Sequence, residues 1–91
     1  MKITYDQAKN TRNINERGLS FERVAEFDFE TAVLSVDNRR DYGEIRQRAL
    51  GTLETRLHSL VFVETITGIR VISFRRANAR EVKCYESQTK A

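Results

Sequence analysis

The residues with the clearest potential for chemistry lie in one stretch, residues 69–86, which reads IRVISFRRANAREVKCYE. It opens as an apolar strand that ends in Arg75 and Arg76, and the spacing of Asn78 and Glu81 then predicts a capped helix. That helix carries further cations and one aromatic side chain, namely Arg80, Lys83 and Tyr85. Guanidinium groups form paired hydrogen bonds with phosphate oxygens. The stretch therefore predicts a compact phosphate-binding site.

Two residue types that often serve catalysis or metal binding are scarce. The single histidine, His58, lies at the start of a predicted strand, and an ordinary half-buried strand histidine is a simpler interpretation than a catalytic one. The single cysteine, Cys84, permits no intramolecular disulfide, and together with one distant histidine it makes no zinc site. We therefore predict no metal, no cofactor and a reducing, cytoplasmic setting.

Net charge is +3, but the charges are unevenly spread. Residues 22–44 contain seven acids and three bases, whereas residues 55–91 contain seven bases and three acids. Arginine outnumbers lysine twelve to four, which favours phosphate recognition over mere solubility. The longest apolar run, residues 60–63, is too short to cross a bilayer, so no membrane partner is expected.

The order of predicted elements is that of an α+β domain. A first strand is predicted over 1–5, a helix between Asp6 and Gly18, and a second helix from Ser20 to about residue 27. Further strands are predicted over 31–36, 44–50 and 56–64 and from 69 onwards, separated by a loop at 37–43 and turns at 51–55 and 66–68. Short turns imply antiparallel pairing. We predict one domain, 1–91, with two N-terminal helices, an antiparallel sheet of about four strands and a C-terminal helix.

Strand alternation predicts which arginines share a face. Arg46 and Arg48 are two residues apart and fall on one face of their strand. If the later strand is regular, Arg70 and Arg76 also share a face, whereas Arg75 and Arg76 point to opposite faces. One basic surface could then collect several of these side chains.

Several segments spread along the chain match one family pattern. They are YDQAK at 5–9, Asn13, GLSF at 18–21, GEIR at 43–46, Gly51, and the 69–86 stretch. Together they resemble the BrnT family of ribonuclease toxins in bacterial type II toxin–antitoxin modules. The resemblance implies a RelE-like fold, cleavage of RNA to arrest growth, and neutralisation by a BrnA-like ribbon-helix-helix antitoxin. Operator DNA is then a partner only through the toxin–antitoxin complex.

Metal-free RNA cleavage makes the ribose 2′-hydroxyl attack its own phosphate, which requires a base, an acid and cations. As catalytic residues we predict Arg46, Arg76, Arg80, Glu81 and Tyr85. As ligands of RNA phosphates we predict Lys9, Arg48, Arg70, Arg75 and Lys83. A capping role is a simpler explanation of Glu81 than a role as general base, and Tyr85 is equally explained by packing of helix on sheet.

The chain departs from the family just before the helix-ending glycine. Members usually carry Lys-His there, and this chain carries Glu16 and Arg17. The alternative function is therefore a catalytically degenerate toxin that acts as an antitoxin-binding or nucleic-acid-binding module and co-repressor. Growth arrest on expression of the chain alone distinguishes the two.

Overall fold

A computed structural model describes residues 1–90, which form five strands, two α-helices and one 3₁₀ helix. The strands are β1 (Lys2–Tyr5), β2 (Val33–Asp37), β3 (Arg46–Leu53), β4 (Arg56–Glu64) and β5 (Gly68–Arg76). Helix α1 (Gln7–Arg17) follows β1, the 3₁₀ helix (Phe21–Glu26) precedes β2, and α2 (Ala79–Thr89) follows β5. The predicted α+β class is confirmed.

The strands form one mixed sheet in the order β1-β5-β4-β3-β2. Neighbouring strands are antiparallel except β1, which runs parallel to β5 with Ile3 opposite Ile69. The prediction of about four antiparallel strands is therefore corrected to five strands in a mixed sheet. The predicted turn at 51–55 is also too long, because only Glu54 and Thr55 separate β3 from β4.

One face of the sheet, here called the core face, carries the hydrophobic core. Leu19, Phe21, Val24 and Phe27 are buried against Ala49, Leu53, Leu60, Phe62, Ile69, Val71 and Phe74. The segment that covers this face was predicted as a second α-helix and is a six-residue 3₁₀ helix instead. The Ser20 side chain caps its start, and the chain is extended again at Phe27. The apolar residues of this segment therefore do face the core, but they lie in a short 3₁₀ helix and in the residues on either side of it.

Helix α1 is attached mainly by polar contacts. It begins at Asp6, whose side chain accepts a hydrogen bond from Lys9 N, and ends at Gly18 in the left-handed conformation, as predicted. Its one buried residue is Asn10. The Asn13 amide nitrogen donates to the carbonyl oxygens of Leu19 and Phe74, both at 2.9 Å. Helix α1 thus lies beside the part of β5 that β1 leaves unpaired.

A bulge in β5 changes which arginines share a face. Val71 is opposite Phe62 and Ser73 is opposite Val61, so Ile72 is an extra residue in the ladder. An extra residue reverses the alternation of side chains beyond it. The prediction that Arg70 and Arg76 share a face is therefore wrong: Arg70 shares the face of Arg75, and Arg76 lies on the core face.

Helix α2 crosses the other face of the sheet, here called the polar face. Glu81 contacts Arg48 of β3 and Arg75 of β5, and the Tyr85 hydroxyl donates to the carbonyl oxygen of Thr31, just before β2. The predicted cap at Asn78 is confirmed. Within residues 1–90 no helix has both the length and the apolar character needed to cross a membrane.

Candidate functional site

A cleft of about 260 Å³ opens on the polar face and is lined by cationic side chains from three segments. We call it the arginine cleft, and its lining residues are Asp37, Arg39, Arg46, Arg48, Ser59, Val61, Ile72, Ser73 and Arg75. Strand alternation directs Arg46 and Arg48 to it from β3 and Arg75 from β5. Ser59 and Ser73 are small, which leaves room between the guanidinium groups. The predicted common face of Arg46 and Arg48 is thus confirmed.

Glu81 holds two of these arginines in place. Its carboxylate accepts two hydrogen bonds from Arg75, at 2.8 and 2.9 Å, and lies 3.4 Å from Arg48 Nη2. It also accepts from the backbone N–H of Asn78, which completes the capping box. The hydrogen bonds from Arg75 hold the pKa of Glu81 below its ordinary value. Glu81 is therefore an ionised positioning group and has little basicity to offer a substrate.

Two further carboxylates hold the remaining arginines of the cleft. Glu44 accepts from Arg46 Nε at 3.0 Å and from Arg70 Nη2 at 2.6 Å, and the bond from Arg46 lowers its pKa. Buried Asp37 accepts two hydrogen bonds from Arg39, each at 2.8 Å, which lower its pKa to about 2. None of the three carboxylates is thus shifted toward neutrality. The arginine cleft supplies positive charge but no proton acceptor from this set.

One polar atom in the arginine cleft is buried without a partner. Arg48 Nε has no hydrogen-bond acceptor within the described chain, although Nη2 of the same side chain faces Glu81. A buried unpaired N–H costs about 1–3 kcal/mol. An anion that reached this donor would remove the cost.

The other predicted site residues fall into three groups. Lys9 lines a shallow groove next to the arginine cleft. Ile72 and Ser73 line both the groove and the cleft. Arg80 and Lys83 are exposed on α2 and line none of the clefts described here. Tyr85 is half-buried and directs its hydroxyl to Thr31, as expected for packing of helix on sheet. Asp37, Arg39 and Glu44 were missed, although each acid precedes an arginine by two residues, at the edge of the predicted charged loop.

A second, larger cleft of about 470 Å³ lies at the end of the core face. We call it the His58 cleft; it is lined by Arg17, Gly18, Leu19, Arg23, Leu53, Glu54, Thr55, Arg56, His58 and Arg76. Arg76 and His58 are directly opposite each other in the β4–β5 ladder. His58 is 4 % exposed, more buried than expected. The structure therefore separates Arg76 from the other predicted arginines and brings it to the one histidine of the sequence.

Comparison with known families identifies the class of protein. The family model for the ribonuclease toxin BrnT, of type II toxin–antitoxin systems, matches residues 5–81. The chain belongs to this family. No curated protein matches the chain.

Membership in the BrnT family assigns the general activity. The family comprises ribonuclease toxins of type II systems, so the activity is cleavage of RNA and a cognate antitoxin is implied. The matched segment contains every residue that lines the arginine cleft and the His58 cleft. Of the two residues at the positions where the resemblance implies Lys-His, Arg17 lines the His58 cleft and Glu16 lines the groove beside Lys9.

Proposed function

We propose that this BrnT protein is a metal-independent endoribonuclease with a RelE-like fold, active in the cytoplasm and neutralised by a BrnA-like ribbon-helix-helix antitoxin. The arginine cleft binds the RNA backbone in this proposal. Operator DNA is contacted only by the complex, through the antitoxin.

The observation that carries the proposal is the convergence of Arg46, Arg48 and Arg75 on one cleft, with Arg48 Nε buried and unpartnered within residues 1–90. Arginine's planar fork suits the oxygens of a phosphodiester. Side chains that carboxylates already hold in position lose less entropy when they bind an anion. In this proposal the arginines of the cleft are therefore already positioned to contact the phosphates of an RNA backbone.

Other predicted cations extend this surface. Lys9 lies at the groove that continues from the arginine cleft, and Arg70 is joined to Arg46 through Glu44. In the proposal these two residues contact neighbouring RNA phosphates. Arg80 and Lys83 add long-range attraction from α2, and Tyr85 orients α2 through its bond to Thr31.

One observation favours the degenerate-toxin alternative. Each arginine of the arginine cleft lies within ion-pair distance of one of three carboxylates, Asp37, Glu44 and Glu81. These pairs lower the net positive charge offered to RNA, and the same surface could dock an acidic partner without chemistry. In that case the chain binds its antitoxin but cleaves nothing.

Expression of the chain alone separates the two functions. We expect growth arrest with loss of intact RNA, rescue by the antitoxin, and purified protein whose RNase activity survives EDTA. In the double variant Arg46→Gln, Arg48→Gln we expect the apparent KM for RNA to rise at least about 10-fold, because each charge-assisted hydrogen bond is worth roughly 1.5–3 kcal/mol.

The matched control is Arg40→Gln with Lys90→Gln, which removes the same charge from two exposed residues that line neither cleft. Circular dichroism checks that each variant folds. Intact RNA and normal growth with folded wild-type protein would instead establish the non-catalytic alternative. Loss of activity in EDTA, restored by added metal, would contradict metal independence.

A further inference from the structure

The His58 cleft differs from the arginine cleft in its unbalanced charge. Arg17, Arg56 and Arg76 line it and form no ion pair with any described acidic residue. Its fourth arginine, Arg23, is paired with Glu26 and with Glu54 at the rim. The cleft therefore presents three uncompensated cations in a volume of about 470 Å³. Such a cleft attracts a phosphate group.

The orientation of His58 leaves one ring nitrogen free. Nδ1 lies 2.9 Å from the carbonyl oxygen of Arg56. A carbonyl oxygen only accepts, so Nδ1 carries the proton and Nε2 carries the lone pair. Within the described chain the hydrogen bond of the ring is the one at Nδ1, so Nε2 has no partner there. The ring packs on Phe74 with centroids 5.4 Å apart. His58 is thus held in one tautomer and one orientation.

The surroundings of His58 keep it neutral. Burial lowers its pKa below the ordinary 6.5 and outweighs the opposite effect of the hydrogen bond to the Arg56 carbonyl oxygen, and the positive charges of Arg76, Arg23 and Arg56 also lower it. The charged groups that line the cleft come from every element around it: Arg17 from α1, Arg23 from the 3₁₀ helix, Glu54 and Arg56 from the β3–β4 hairpin, and Arg76 from β5. At pH 7 the imidazole is therefore available as a proton acceptor.

We propose that the His58 cleft is the catalytic centre for RNA cleavage, with His58 Nε2 as general base and with Arg56 and Arg76 as ligands of the scissile phosphate. The proposal rests on the ribonuclease function proposed above and supplies the proton acceptor that the arginine cleft lacks. Arg75 and Arg76 are consecutive and point to opposite faces of β5. The arginine cleft then binds a neighbouring stretch of the same RNA.

The chemical step is a transesterification within the RNA chain. His58 Nε2 takes the proton of the 2′-hydroxyl, and the 2′-oxygen forms a bond to phosphorus. The bond from phosphorus to the 5′-oxygen breaks, and that oxygen takes a proton from solvent water. The hydroxide that remains takes the proton from His58 Nε2, which restores the base. The products are a 2′,3′-cyclic phosphate and a 5′-hydroxyl end. Arg56 and Arg76 stabilise the negative charge that develops on the phosphate oxygens.

The first test is the pH dependence of kcat/KM for wild type and His58→Asn. Asparagine keeps an N–H for the Arg56 carbonyl oxygen but has no basic nitrogen. For wild type we expect kcat/KM to rise with pH through a pKa below 6.5 and to be level at pH 7, because the base must be unprotonated. For His58→Asn we expect kcat/KM to fall by about 10²-fold or more, and we expect it no longer to decrease at acidic pH.

A second measurement does not depend on turnover. An RNA analogue with a 2′-deoxy nucleotide at the cleavage position cannot react but presents the same phosphate. We expect its binding to raise the pKa of His58, measured by NMR of the ring, because the phosphate stabilises the imidazolium. In Arg76→Ala we expect this rise to shrink. Arg40→Ala, outside both clefts, serves as the control.

The outcomes separate this proposal from the ribonuclease function itself. If wild-type protein cleaves no RNA, the proposed function fails. If wild type cleaves RNA, and folded His58→Asn has the same kcat/KM and the same decrease of kcat/KM at acidic pH, the ribonuclease function stands and His58 is not the base. A His58 pKa that the RNA analogue leaves unchanged would likewise overturn the assignment of the phosphate to this cleft.

Discussion

At the scale of single residues, the Glu81 carboxylate is occupied by structural hydrogen bonds and is a poor candidate for proton transfer. Its oxygens accept from two nitrogens of Arg75 and from the Asn78 backbone, and lie near Arg48. The sequence correctly predicted the capping role, since Asn78 and Glu81 have capping-box spacing. The contacts with Arg48 and Arg75 could not be predicted, because they depend on where α2 crosses the sheet.

Replacing Glu81 should therefore cost stability in a pH-dependent way. We expect Glu81→Gln to lower the free energy of unfolding at pH 7 by about 1–3 kcal/mol, because Arg75 and the cap lose a charged acceptor. The folded-state pKa of Glu81 lies below its ordinary 4.5, so its contribution is complete above pH 4.5. It is lost as the pH falls through the folded-state pKa.

Urea unfolding of both proteins between pH 3 and pH 7 measures this difference. Glu86→Gln, at an exposed position on the same helix, is the matched control and should be nearly neutral. A difference between wild type and Glu81→Gln that is constant over the whole range would show that the carboxylate charge contributes nothing.

At the scale of elements, helix caps and strand propensity correctly predicted the elements that depend on local sequence. Asp6 and Gly18 bound α1, and Arg56–Glu64 is the strand β4 that β-propensity predicted. Pairing of β1 with β5 was beyond the sequence patterns, because the paired residues are far apart in the chain and a neighbouring hairpin is the default expectation. The bulge at Ile72 was also invisible, and it moved Arg76 from the predicted basic surface to the His58 cleft.

The β1–β5 pairing depends on a glycine. A Cβ atom at Gly68 would collide with the backbone of Lys2, its partner in the parallel ladder. We expect Gly68→Ala to displace β1 and to destabilise the fold by about 1–3 kcal/mol. Hydrogen exchange should show faster exchange at the β1 amides Lys2–Tyr5.

The neighbouring substitution Thr67→Ala removes only an exposed side chain and should leave β1 protected. Protection of the β1 amides that is equal in wild type and Gly68→Ala would mean that β1 tolerates the added methyl group by shifting as a unit.

At the scale of the whole molecule, the net charge of +3 understates the number of arginines that line the two clefts. The sequence predicted a phosphate-binding site in residues 69–86, and β3, β4 and β5 together carry five of the eight arginines that line the two clefts. It did not predict that these arginines divide between two faces. Nor did it predict that Glu44, from the acidic segment 22–44, pairs with Arg46 and with Arg70 of the basic segment 55–91.

Local placement rather than net charge should therefore set the salt dependence of RNA binding. For single strands, the slope of log K against log salt is roughly −0.7 per phosphate neutralised. We expect Arg46→Gln, Arg48→Gln to make the slope about 1.4 units less negative, because two phosphate contacts are lost. A comparison variant, Arg40→Gln with Lys90→Gln, removes the same total charge at two exposed positions outside both clefts. Its slope should stay near that of wild type, measured with a non-cleavable 2′-deoxy analogue across a range of salt concentrations. Equal slopes in the two double variants would mean that RNA binding depends on the overall charge of the protein. The arginine cleft would then not be a preferred site for RNA phosphates.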